Sequence, residues 1–198
     1  MMKRISLSII VSAMTFFSFG QGVDGTELGI DMSFYATTGQ VASGNFGLGA
    51  KYGLKFGDNI ILGPSVRYQR AWTNNKLLGT KGGRNIFGGG AFIHGRFNNV
   101  LFAGIEAEIL RSPYTVNGFL GNNPKWVGTC LLGAGFSREF DNELRLNAGV
   151  YYDILDIPNP SNPDNPNPNS PLQPYLSRNS QGVVIPMIYR IALFIPLT

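Results

Sequence analysis

In the stretch Asn45–Phe56, NFGLGAKYGLKF, every second residue from Phe46 is apolar (Phe46, Leu48, Ala50, Tyr52, Leu54, Phe56), and those between are only Gly or Lys. A period of two puts the two sets on opposite faces of a β-strand. The alternation recurs along the chain. Leu28, Ile30, Met32 and Phe34 alternate with Glu27, Gly29, Asp31 and Ser33. Ile60, Leu62, Pro64, Val66 and Tyr68 alternate with Ile61, Gly63, Ser65, Arg67 and Gln69. Leu101, Ala103, Ile105, Ala107 and Ile109 alternate with Phe102, Gly104, Glu106, Glu108 and Leu110. Trp126, Gly128, Cys130, Leu132, Ala134 and Phe136 form another apolar face. Leu144 to Ile154 alternate with Glu143, Arg145, Asn147, Gly149, Tyr151 and Asp153. The last face is Ile185, Met187, Tyr189, Ile191, Leu193, Ile195 and Leu197, with Arg190 opposite. Residues 86–97, IFGGGAFIHGRF, complete eight segments of about 9–13 residues. Their phase stays open, because a two- or three-residue turn at Asn98 changes which face is inward.

The connections add a second pattern. Gly57-Asp58-Asn59, Asn98-Asn99 and Phe140-Asp141-Asn142 read as tight hairpin turns, since Gly, Asn and Asp accept the backbone angles such turns require. Longer links fall at roughly 36–44, 73–85, 111–125 and 155–182. Short and long connections alternate, which puts all short turns at one end and all long loops at the other. A soluble antiparallel sandwich also alternates, but it turns polar side chains toward water. Here the non-apolar faces are rich in glycine, with mixed-sign charges too sparse for a solvated surface. The pattern therefore predicts an all-β fold: a closed, antiparallel, eight-stranded, transmembrane up-and-down β-barrel. Closure leaves no unpaired edge in lipid.

Composition sharpens this reading. The chain has 198 residues, 26 glycines and only 14% charged residues, against about a quarter in soluble domains. The formal charge is +4, and Lys3 and Arg4 supply two of those charges; the remainder is too small to imply a nucleic-acid surface. At the N-terminus, Lys3 and Arg4 precede an apolar run, Ile5 to Phe17, and Ser18 and Gly20 stand three and one residues before a cut at Gln21. Residues 1–20 read as a secretory signal peptide, and 21–198 as the barrel domain. Cys130 is the single cysteine, which excludes an intramolecular disulfide.

Within this frame the inward-facing charges are Glu27, Asp31, Lys51, Lys55, Arg67, Glu106, Glu108, Arg145, Asp153 and Arg190. An eight-stranded barrel is just wide enough for side chains to fill, and buried charges must pair. These ten are expected to form a structural lumen network. Lys51 and Lys55 have Glu27 and Asp31, or Glu106 and Glu108, as candidate partners. Phe46, Tyr68, Trp72, Trp126 and Tyr152 lie near the long-loop ends; Phe56, Phe97, Phe136 and Phe194 lie near the short-turn ends. They are expected to form two interfacial aromatic girdles.

The chain resembles the small eight-stranded outer-membrane proteins of the OmpA/OmpX-like barrel class over residues 25–198. The resemblance lies in the strand and turn pattern quoted above. It implies the outer membrane of a Gram-negative bacterium, with both termini periplasmic. One departure is the end of the chain, FIPLT, where Phe194 stands four residues before Thr198; such barrels often end in an aromatic residue. Some small barrels modify lipids with a His and a Ser on the barrel exterior or near the outer rim. Here the single histidine stands in His94-Gly95-Arg96, near a short turn and without a local serine. No catalytic residue, metal site or cofactor is expected.

The expected role is structural or one of surface interaction, including that of an accessory subunit in a larger outer-membrane complex. A lipid-A-modifying enzyme and a narrow channel or small-molecule carrier are the alternatives. The expected partners are outer-membrane lipid and lipopolysaccharide, with any protein partner at the extracellular loops or barrel wall. No nucleic acid is expected, and the assembly is a monomer or a subunit of a hetero-complex. Two loops bear on this. Most of the twelve prolines fall in residues 158–186, where they forbid strand pairing and favour an extended arm or spacer. Lys76, Lys81 and Arg84 in TNNKLLGTKGGRN are placed to meet lipopolysaccharide phosphates or simply to face solvent.

Overall fold

The computed structural model describes residues 23–38, 41–77, 79–114, 120–140, 143–155 and 187–197. The expected signal peptide and nearly all of the Pro/Asn-rich loop lie outside them. The described residues form eight strands: β1 (Gly25–Thr37), β2 (Val41–Phe56), β3 (Ile60–Asn75), β4 (Thr80–Phe97), β5 (Leu101–Tyr114), β6 (Leu120–Glu139), β7 (Arg145–Asp153) and β8 (Met187–Leu197). Each pairs antiparallel with the next in the chain, and β1 also pairs with β8, from Thr26↔Leu197 to Phe34↔Tyr189. The strands thus form an up-and-down ring.

The strands are longer than the apolar alternation, and three of the four expected long links shrink accordingly. The connections between strands are 38–40, 76–79 and 115–119. Polar residues continue the ladders beyond the apolar band, as in Val41↔Asn75 and Asn75↔Thr80. Backbone pairing needs no apolar side chain, so alternation in hydrophobicity ends before the strand does. The fourth connection, between β7 and β8, runs from 154 to 186.

Turn chemistry explains the opposite end of the ring. Asn98 and Asn99 have φ of 48° and 56°, and the Val100 N–H donates to the Phe97 carbonyl at 3.0 Å. Asn tolerates this left-handed region better than other non-glycine residues. Three residues, 98–100, separate β4 from β5, which sets the open phase of β4: Ile86, Phe92, His94 and Arg96 are buried, while Phe87, Ile93 and Phe97 are exposed. At the first turn, the Gly57 N–H donates to Asp24 Oδ2 at 2.6 Å.

Two apolar clusters lie inside the ring. One contains Ile61, Phe92, Ala192 and Phe194. The other contains Ala71, Ile86, Phe102, Leu110, Leu131, Tyr151 and Ile188. Phe194 is 0% exposed, which corrects its expected place in an aromatic girdle. Its outward neighbours on β8 are the odd-numbered residues, and a period of two turns residue 194 inward.

Candidate functional site: the interior charge cluster

Six charged side chains meet inside the ring: Asp31 from β1, Lys51 from β2, Arg67 from β3, Glu106 and Glu108 from β5, and Arg190 from β8. Each occupies the inward register of its strand, and each is at most 3% exposed. Lys51 Nζ lies 3.2 Å from Asp31 Oδ2 and 2.6 Å from Glu106 Oε1. Arg67 Nη1 lies 2.7 Å from Asp31 Oδ1, its Nε 2.8 Å from Glu108 Oε1, and its Nη2 3.6 Å from Glu106 Oε2. Arg190 Nη1 donates to Glu106, and its Nη2 lies 3.2 Å from Glu108 Oε2. Three acids face three bases, so the cluster is neutral as a unit. Isolated burial of any one of these charges would be costly, whereas mutual pairing offsets that cost.

Glu106 is the hub. It contacts residues of β2, β3 and β8, and also His94 Nε2 at 2.9 Å. The Tyr151 hydroxyl lies 3.3 Å from the same histidine nitrogen. Apart from Glu106–His94, which links the paired strands β5 and β4, these contacts join strands that are not neighbours in the sheet, which backbone ladders cannot do. Aromatic rings enclose the charges: Lys51 Nζ lies 5.4 Å from the Phe92 ring, and Arg190 Cζ lies 5.0 Å from the Tyr151 ring. Each apolar cluster therefore touches the charge cluster through a cation–π contact.

Glycine on the inner face makes room for this cluster. A Cβ at Gly49 would stand 2.7 Å from Asp31 Oδ1, and one at Gly104 would collide with the His94 ring. The alternation of glycine and lysine in NFGLGAKYGLKF is thus a packing arrangement. Long charged side chains cross the interior through space that glycine leaves open.

A second group lies at the short-turn end. Arg96 Nη2 is 2.6 Å from Glu27 Oε2 and its Nη1 is 2.9 Å from Glu27 Oε1, a two-pronged pair. Lys55 Nζ lies 3.9 Å from Glu27 Oε1 and is one-third exposed. Arg145 pairs with Glu139 and donates to Ser137 Oγ at 3.1 Å. Lys55, Arg96, Glu139 and Arg145 help to line an open cavity of about 350 Å³ at this end. Asp153 is placed elsewhere, where its Oδ1 accepts from the Cys130 and Leu155 N–H groups at 3.3 and 3.1 Å.

The structure thus brings nine of the ten expected inward charges into two ion-paired groups and puts Asp153 at the end of β7. Sequence reasoning missed Arg96, Glu139, His94 and Tyr151 as members. Arg96 and His94 were hidden by the open phase of β4. Glu139 shares the parity of Ser137 on β6, and Tyr151 that of Arg145 on β7. On the outside, Phe46, Tyr68, Trp72, Trp126, Phe136 and Tyr152 are all exposed, and Phe56 is half-buried. His94 is 0% exposed. Among the described residues no group of three or more His, Cys, Asp or Glu side chains is arranged to hold a metal ion. Compared with known proteins, the chain matches no family model, no curated protein and no solved structure.

Proposed function

We propose that this protein is a closed, transmembrane, eight-stranded β-barrel of a Gram-negative outer membrane, with periplasmic termini and a structural or surface-interaction role. The observation that carries the reading is the inversion of its two faces. Lys51, Arg67, Glu106 and Arg190 are buried, while Leu48 on β2, Val66 on β3, and Ile105 and Ile109 on β5 are 49%, 62%, 46% and 60% exposed. Such an apolar exterior is unfavourable in water, because monomeric soluble proteins rarely expose contiguous apolar patches beyond a few hundred Å². In a bilayer it is the required surface, and a ring of paired strands satisfies the backbone where no water is present.

The interior supports a filled scaffold over a conduit. The charges are engaged with one another across the lumen, and buried aromatic and aliphatic side chains lie beside them. The internal network braces the wall, and contacts with lipid or protein partners belong to the outer wall and the loop end. Two observations test the proposal. The protein should fractionate with outer membranes, and its unheated form should migrate differently from its boiled form on a denaturing gel. Recovery as a freely soluble periplasmic protein with no heat-dependent migration would refute the reading.

A further inference from the structure

We infer that the outer face of β4, near the long-connection end, binds the phosphorylated headgroup of a membrane lipid; this inference rests on the transmembrane reading above. Two arginines converge there from opposite sides. Arg70, on β3, reaches over β4 and donates from Nη1 to Asn85 Oδ1 at 2.6 Å. Its Nη2 is the atom that a Cβ at Gly83 would meet first, at 2.9 Å. Arg111, on β5, reaches over β4 from the other side, and its Cζ lies 5.7 Å from the centre of the Phe87 ring. Gly83, Asn85 and Phe87 alternate along β4, on the face opposite buried Ile86, Phe92 and His94. Both guanidinium groups thus overlie the outer face of one strand, and Gly83 leaves the room that Arg70 occupies.

The surroundings define the chemistry. Trp126 on β6 meets Phe87 edge-on at 5.9 Å and is 61% exposed. Tryptophan favours the depth at which headgroups meet acyl chains. Arg70 and Arg111 are themselves exposed. Among the described residues neither enters an ion pair, whereas Arg67, Arg96, Arg145 and Arg190 inside the ring all do. A cation at the edge of a low-dielectric layer calls for a counter-charge. The planar guanidinium matches phosphate oxygens through paired hydrogen bonds. A lipid phosphate seated over Asn85 would receive both arginines while its acyl chains lie along the apolar wall below.

The test uses the full-length protein folded in detergent micelles. It is titrated with bis-phosphorylated lipid A and with the same lipid stripped of its phosphates, and bound lipid is counted by native mass spectrometry. The phosphorylated lipid should bind at least tenfold more tightly. Arg70→Gln and Arg111→Gln should each weaken it by about tenfold, the scale of one charge-assisted hydrogen bond. The double substitution should abolish the preference, while Arg138→Gln, an exposed site near the other end of β6, should leave it intact. Equal binding of the two lipids, or an unaffected double variant, would overturn the inference. So would displacement by millimolar inorganic phosphate, which would indicate a free-anion site, or a change of oligomeric state in place of lipid binding. Failure to enter micelles, with full solubility in buffer, would overturn the transmembrane reading and this inference with it.

Discussion

The two faces of β2 are opposite in character. On one face Lys51 is 1% exposed and held by Asp31 and Glu106. On the other, Leu48 is 49% exposed and Phe46 52%. In a water-soluble protein the first would be expensive and the second wasted. The contrast teaches that the stabilising interactions of this fold run opposite to the usual order. Ion pairs lie at the centre between two buried apolar clusters, and further apolar side chains meet the surroundings.

The contrast is broken most severely at its hub. Glu106→Ala removes the carboxylate shared by Lys51, Arg67, Arg190 and His94. Loss of one partner from a buried ion pair costs roughly 3–5 kcal/mol, and urea unfolding in micelles should register a loss of that order. On the outer face, Leu48→Lys should cost about 2–4 kcal/mol in a bilayer, the depth-dependent penalty for a lipid-facing charge. The same substitution on a water-exposed surface would stay within about 0.5 kcal/mol of neutral, so refolding into liposomes separates the two surroundings. At the short-turn end, Arg96→Gln strips Glu27 of its two-pronged partner and should cost about 1.5–3 kcal/mol, as for a hydrogen bond to a charged group. Lys55→Ala should be nearly silent, below about 1 kcal/mol, because its contact with Glu27 is long and one-third of the lysine is exposed. A steep gradient from Glu106 to Lys55 would sharpen the distinction between braced centre and open mouth; equal effects would erase it.

Much of this arrangement was legible in the residues alone. A period of two separates Lys51, Arg67 and Arg190 from Leu48, Val66 and Tyr189 without further information, because facing depends only on parity. β4 resisted such a reading for a physical reason. Its segment IFGGGAFIHGRF carries apolar residues on both faces, Phe92 inside and Phe87 and Ile93 outside, so only the three-residue turn at 98–100 decides the phase. Partners across the interior could be narrowed to a few candidates but not assigned. Four carboxylates were candidates for Lys51 and Lys55: Glu27 and Asp31 on the neighbouring β1, and Glu106 and Glu108 on β5, whose height relative to β2 no shared ladder sets. The structure gives Lys51 to Asp31 and Glu106, and Lys55 to Glu27. The full strand lengths were hidden because Thr73–Asn75 and Thr80–Asn85 pair through their backbones while carrying mostly polar or glycine residues.

Contact of the apolar exterior with lipid is directly measurable. The most direct measurement places a nitroxide label in turn at positions 48, 50 and 52 of β2, in a Cys130→Ala background, with the protein reconstituted in liposomes. Collisions with oxygen, which concentrates in the bilayer, are compared with collisions with a water-soluble nickel complex. Strong relaxation by oxygen and little by nickel is expected at all three positions. Strong relaxation by nickel at these positions would contradict that contact.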